Sequence, residues 1–83
     1  MKVTVRYFAS LREALGAGEA LEVQAGETVG GLRDTLMRRS DSHASALNRN
    51  RALRCALNQA LCEESAPLVE SAEVAFFPPV TGG

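Results

Sequence analysis

Thr28-Val29-Gly30-Gly31-Leu32-Arg33-Asp34-Thr35-Leu36-Met37-Arg38-Arg39 reads as the main helix of this chain. Val29, Leu32, Leu36 and Met37 recur at helical spacing on one face, with Arg33, Asp34, Arg38 and Arg39 on the other. Thr28 has the side chain of an N-cap, and Arg38 and Arg39 fall where cations complement the helix dipole in the last turn. Gly30 and Gly31 each cost about 1 kcal/mol relative to Ala in a helix. Something tertiary must compensate, and close packing of that first turn on a sheet is the expectation.

Strand patterns flank the helix on both sides. From Lys2 to Phe8, Val3, Val5 and Tyr7 alternate with Lys2, Thr4, Arg6 and Phe8, which is the period of a half-buried strand. Ser10 to Leu15 reads as a short helical turn, with Ser10 as N-cap, Glu13 three residues on and Gly16 as the stop. Leu21 and Val23 alternate with Ala20, Glu22 and Gln24 in a second short strand. Beyond the main helix, Ser40 to Arg51 is a polar loose turn or short helix anchored by Ala44 and Leu47. Leu53, Cys55 and Leu57 mark a third strand, Asn58-Gln59 a bend, and Leu61-Cys62 a brief return. Pro67 to Ala72 connects to a last strand, Glu73 to Phe77, which Pro78-Pro79 end because proline donates no ladder hydrogen bond. Strands around one main helix imply an α+β domain of β-grasp type, a mixed sheet with the helix across one face. The first and last strands should then pair in parallel at its centre. Strand parity places Val74 and Phe76 towards the helix, and Ala75 and Phe77 away from it.

Composition narrows the rest. Eighty-three residues suffice for one small domain, taken here as residues 1–79 with a flexible tail over residues 80–83. Nine Lys and Arg against ten Asp and Glu leave a net charge of −1, which lacks the basic footprint of a nucleic-acid binder. No apolar run approaches the ~20 residues that span a bilayer, and Met1 to Arg6 is not a signal peptide, so no membrane is expected and the cytoplasm is the default compartment. Cys55 and Cys62 are too few for a disulfide scaffold, and His43 with two thiols is too little for a metal site. Cys55 reads as a small buried hydrophobe and Cys62 as the more exposed thiol. Glu63 and Glu64, on a turn, should point apart into solvent.

Nothing in this pattern forms an autonomous active site. There is no Ser/His/Asp set, and Gly30-Gly31 lacks the further glycine and lysine of a phosphate loop. The end of the chain is distinctive instead. Phe76-Phe77-Pro78-Pro79-Val80-Thr81-Gly82-Gly83 joins a stiff apolar approach to two terminal glycines. A glycine pair removes side chains near the α-carboxylate and permits close approach. Extended, Val80 to Gly83 reaches about 13–14 Å. A tail of that shape suits a narrow channel on another protein.

The segment Glu73-Val74-Ala75-Phe76-Phe77-Pro78-Pro79-Val80-Thr81-Gly82-Gly83 resembles the C-terminus of molybdopterin synthase small subunits, the sulfur carriers of molybdenum cofactor biosynthesis. The similarity extends to Tyr7-Phe8-Ala9, Leu11-Arg12-Glu13, Gly16, Asn58-Gln59 and Pro67-Leu68. Ser71 and Ala72 depart from the family's usual Gly-Asp pair before the last strand, and Gly30-Gly31 replaces stronger helix formers. The resemblance implies a ubiquitin-like fold and a functional group in the Gly83 carboxylate. An ATP-dependent, ubiquitin-activating-like enzyme would adenylate Gly83, and a sulfur donor would convert it to a thiocarboxylate. Pro78, Pro79, Val80, Thr81 and Gly82 would thread into the large synthase subunit, where the sulfur attacks cyclic pyranopterin monophosphate. The chain itself would bind no cofactor, ATP being used by the activating enzyme, and two small chains would join a large-subunit dimer in a heterotetramer. Phe8, Leu61 and Phe77, with Arg12 on the rim, would form the partner surface. Three alternatives share parts of this reading: a thiamine-pathway sulfur carrier, a ubiquitin-like covalent protein modifier, and a non-covalent ubiquitin-like binding module. The double proline argues against the first.

Overall fold

The computed structural model describes residues 1–79. The chain runs β1 (Lys2–Tyr7), α1 (Ser10–Leu15), β2 (Gly18–Glu22), α2 (Val29–Met37), α3 (Asp41–Ala46), β3 (Arg54–Leu57), β4 (Ala60–Cys62) and β5 (Glu73–Phe77). The five strands make one sheet in the order β2-β1-β5-β3-β4. The central pair, β1 and β5, is parallel, with Val5 opposite Val74 and Tyr7 opposite Phe76. The other pairings are antiparallel. This is the expected ubiquitin-like β-grasp order, and the strand parity also holds. Val3, Val5, Tyr7, Cys55, Val74 and Phe76 join Val29, Leu32 and Leu36 of α2 in one buried core.

The start of α2 explains its glycines. Its first amides are orphan donors in any helix. Here Thr28 Oγ1 accepts from the Gly31 amide at 3.1 Å, and the loop before β5 supplies the Glu64 carbonyl to Gly30 and the Ala66 carbonyl to Val29. A Cβ on Gly30 would come within 3.1 Å of Glu64 backbone and side chain. The close approach is therefore to this loop, not to the sheet. At Gly31 the neighbour a Cβ would meet is the Glu27 carboxylate.

Several local expectations are corrected. Ser10 is the first helical residue of α1 and does not cap it; the cap is Ala9, at φ 54 with no side-chain hydrogen bond. β2 begins earlier than its apolar residues suggest, at Gly18, because β1 pairs with it from Arg6. α2 ends at Met37, so Arg38 is its C-cap and neither Arg38 nor Arg39 lies in the last turn. Ala46 and Leu47, not Ala44, anchor α3.

Arg33 gives the largest correction. Its helical position points to solvent, yet it is buried. Its guanidinium donates to the carbonyls of Leu47 at 2.9 Å, Asn48 at 2.7 Å and Arg51 at 3.3 Å, and to Glu64 at 2.8 Å. One side chain thereby fastens the long connection between α3 and β3 to α2. Glu64 is not a free surface carboxylate either, because Arg49 bonds it from the other side. Burial alone would raise the Glu64 pKa, but the bonds from Arg49 and Arg33 outweigh it and hold the carboxyl below its ordinary range.

His43 also lies in a structured setting. On α3, its Nε2 meets Glu19 Oε2 at 2.8 Å, its Nδ1 meets Ser40 Oγ, and its ring stands edge-on to Tyr7. The Tyr7 hydroxyl donates to the same Glu19 oxygen at 2.8 Å. Burial, then that bond, pushes the Tyr7 hydroxyl far up, so it stays a donor. Arg39 closes the cluster on Glu19 at 3.1 Å. Residues from β1, β2 and α3 are thus pinned at one carboxylate.

Candidate functional site

β5 delivers the chain end. Phe77 closes the strand, Pro78 is half-buried and Pro79 exposed. The expected tail residues Val80, Thr81, Gly82 and Gly83 lie outside the described residues. What surrounds the base of the tail is the sheet face turned away from α2. Register fixes which side chains share that face. Arg6, Ala75, Ala56 and Leu61 form one row across β1, β5, β3 and β4. The next row towards the tail holds Phe77 opposite Arg54. Phe8, whose amide donates to the Phe76 carbonyl at 3.3 Å, continues β1 beside it.

The result is an open apolar surface at the exit of the chain. Leu61 is 66% exposed and Phe8 39%, while Phe77 is half-buried. Between Leu61 and Phe77 the floor is only Ala56 and Ala75, whose small side chains leave the larger ones standing. Large apolar groups grouped on one face, where exposure to water gains nothing, suit a second protein surface. Arg6 places its guanidinium carbon 5.6 Å from the Phe8 ring centroid, a cation–π contact, and also approaches Glu73 at 3.8 Å. Arg12 is exposed on α1, four residues beyond Phe8.

Sequence parity finds Phe8, Leu61 and Phe77. It does not single out the alanine floor, Arg6 or Arg54, because only strand register places them in these rows. Val69, 51% exposed, was not anticipated either and sits on the connector before β5, apart from this surface. Among the described residues no group of three His, Cys, Asp or Glu is placed to hold a metal ion. No helix of the described residues is long and apolar enough to cross a membrane.

The comparisons agree with this architecture. A model of the ThiS family matches residues 5–83. The chain belongs to the ThiS family. Among curated relatives it is 45% identical over 82 residues to the molybdopterin synthase sulfur carrier subunit of Escherichia coli (strain K12), covering 98% of this chain and 99% of the relative. It is 38% identical over 85 residues to the protein of that name from Mycobacterium tuberculosis, covering 100% and 99%. Among solved structures, a putative molybdopterin converting factor subunit 1 from Pyrococcus furiosus superposes with a TM-score of 0.80 at 26% identity, over 96% of this chain and 99% of that one. A chain of the Helicobacter pylori complex of molybdopterin-converting factor subunits 1 and 2 shares the fold at a TM-score of 0.70 and 24% identity, over 100% of both.

Ser71 sets the approach of the chain to β5. It stands at φ 64 before β5, in the left-handed region that favours glycine. Its amide donates to the Lys2 carbonyl at 2.8 Å and to Glu70. The tight turn before β5 is thus made with a non-glycine residue in this region, with Ser71 carrying the strain.

Proposed function

We propose that this chain is the sulfur carrier subunit of a molybdopterin synthase, with the Gly83 carboxylate as its reactive group. The observation that carries the reading is end-to-end identity of 45% to a protein of that name. The open apolar face at the exit of β5 supports it. An α-carboxylate with a pKa of about 3.3–3.7 is ionised at neutral pH and is a poor electrophile. Attack on ATP by Gly83 gives an acyl-adenylate and pyrophosphate, on a separate activating enzyme. The terminal sulfur of a persulfide donor displaces AMP, and a second thiol cleaves the S–S bond to leave the thiocarboxylate. That sulfur is anionic and nucleophilic at pH 7. It attacks cyclic pyranopterin monophosphate inside the large subunit, whose groups supply the catalysis.

In this arrangement Pro78, Pro79, Val80, Thr81 and Gly82 are the threaded segment, and Phe8, Leu61 and Phe77 dock the domain with Arg12 on the rim. A large-subunit partner fits the name of the 45% identical relative, itself a subunit of molybdopterin synthase. We place two such chains at opposite ends of a large-subunit dimer, since each tail needs its own active site. The covalent-modifier reading shares the chemistry up to the adenylate. It draws on a solved structure of the small archaeal modifier SAMP1 from Haloferax volcanii, TM-score 0.79, whose 24% identity carries the fold alone.

Intact mass separates the two. Incubation with the activating enzyme, ATP and a sulfur donor should raise the mass by about 16 Da, sulfur for oxygen. Conjugates on lysine side chains without that gain would favour a modifier. The docking surface has its own test. Phe77→Asp should weaken binding to the large subunit roughly 30-fold, as loss of an aromatic anchor does, with little change in melting temperature. An unfolded Phe77→Asp protein would instead make Phe77 a core residue.

A further inference from the structure

Cys55 on β3 and Cys62 on β4 are register partners across the hairpin that Asn58-Gln59 turns. Both belong to the helix-facing side of the sheet, and their sulfurs are 3.7 Å apart. Cys55 Sγ also donates to the Cys62 carbonyl at 3.3 Å. Sulfur transfer from Gly83 uses neither thiol. They differ in access: Cys55 is 5% exposed, whereas Cys62 is half-buried. Burial, then the neighbouring Cys62, pushes the Cys55 thiol up to about 12. Cys62 is therefore the sulfur a small reagent reaches first.

We infer that Cys55 and Cys62 form an oxidisable dithiol, a modification site for low-molecular-weight disulfides such as glutathione disulfide, closing to an intramolecular cross-strand disulfide. A disulfide is about 2.05 Å long, so the sulfurs must approach by roughly 1.7 Å. β4 can supply that movement, because it is a three-residue strand at the sheet edge, paired on one side only. The Cys62 thiolate attacks one sulfur of glutathione disulfide, breaking its S–S bond and releasing one glutathione thiolate. Cys55 then loses its proton to solvent as its sulfur attacks Cys62 Sγ, expelling the second glutathione. Two electrons leave the protein thiols and reduce one glutathione disulfide to two glutathiones. The second step is the slower, because its nucleophile must be deprotonated in a buried position.

The test uses the full chain and needs neither partner nor sulfur transfer, so its outcome is separate from the carrier reading. After excess glutathione disulfide, the protein should be monomeric and two hydrogens lighter by mass. Neither thiol should alkylate with iodoacetamide in denaturant, and dithiothreitol should restore both. Cys55→Ser should stop with one glutathione on Cys62, and Cys62→Ser should remain unmodified while folded. The folding of both variants is checked by circular dichroism. Wild-type protein that ends as a stable glutathione adduct, as a disulfide-linked dimer, or with both thiols still alkylatable would overturn the inference without recourse to the variants.

Discussion

A chain carrying one added alanine after Gly83 should melt with the parent protein and gain no sulfur. The extension converts the Gly83 carboxylate into an amide, which cannot attack ATP. It moves the only free α-carboxylate one residue outward and gives it a Cβ, in a tail whose two glycines suit a channel with no room for side chains. The fold should be indifferent, because β5 ends at Phe77 and a buried core already forms among residues 1–79. The readouts are a thermal melt and intact mass after activation. A gain of about 16 Da on a chain still bearing the alanine would sink the assignment of Gly83. Removing Gly82 and Gly83 should likewise abolish sulfur loading while weakening the complex only modestly. Ordering tail residues costs roughly 1–2 kcal/mol each in backbone entropy, so the apolar face at Phe8, Leu61 and Phe77 must carry most of the affinity.

The sheet and its two faces were legible because they rest on short-range rules. Alternation in Lys2 to Phe8 and Glu73 to Phe77 assigns each side chain to one face of the sheet. Thr28 announces its helix, Gly16 ends another at φ 89, and Asn58-Gln59 both adopt positive φ in the hairpin turn. What escaped the sequence depends on partners distant along the chain. Arg33 satisfies carbonyls 14 to 18 residues away, and Glu19 collects His43 from 24 residues away. Helical periodicity sends an arginine to solvent unless something in the fold demands its donors, and no local pattern records such a demand. The two thiols, by contrast, follow the sequence reading: Cys55 is buried and Cys62, its register partner, is the more exposed. Ala9 at φ 54 and Ser71 at φ 64 were hidden for a different reason: neither residue type advertises a left-handed backbone. Ala9 directly follows Phe8, so this strained position starts α1 beside the apolar sheet face.

Arg33→Ala should remove about 3 kcal/mol from a domain whose total stability is of the order of 4–12 kcal/mol. The substitution does more than break one ion pair. It leaves the Leu47, Asn48 and Arg51 carbonyls without the donor they share, and deprives Glu64 of one of its two cations. Arg33→Lys should recover little, because one ammonium cannot reproduce a fork that reaches three carbonyls and a carboxylate at once. Arg49 is the internal control. It pairs with Asp34 and Glu64, but its side chain is 44% exposed, so Arg49→Ala should cost under about 1 kcal/mol. Urea midpoints of the three variants test this ordering, and near-equal losses at Arg33 and Arg49 would refute it. Glu64 adds a pH dependence of known sign. Its folded pKa lies below its unfolded value, so its contribution is complete above about pH 5 and is lost as pH falls through the folded pKa. The wild-type protein should therefore lose part of its acid-side stability through Glu64, and Glu64→Gln should show a shallower fall below pH 5. An unchanged acid limb in Glu64→Gln would mean that the bonds from Arg33 and Arg49 to Glu64 add nothing measurable to stability.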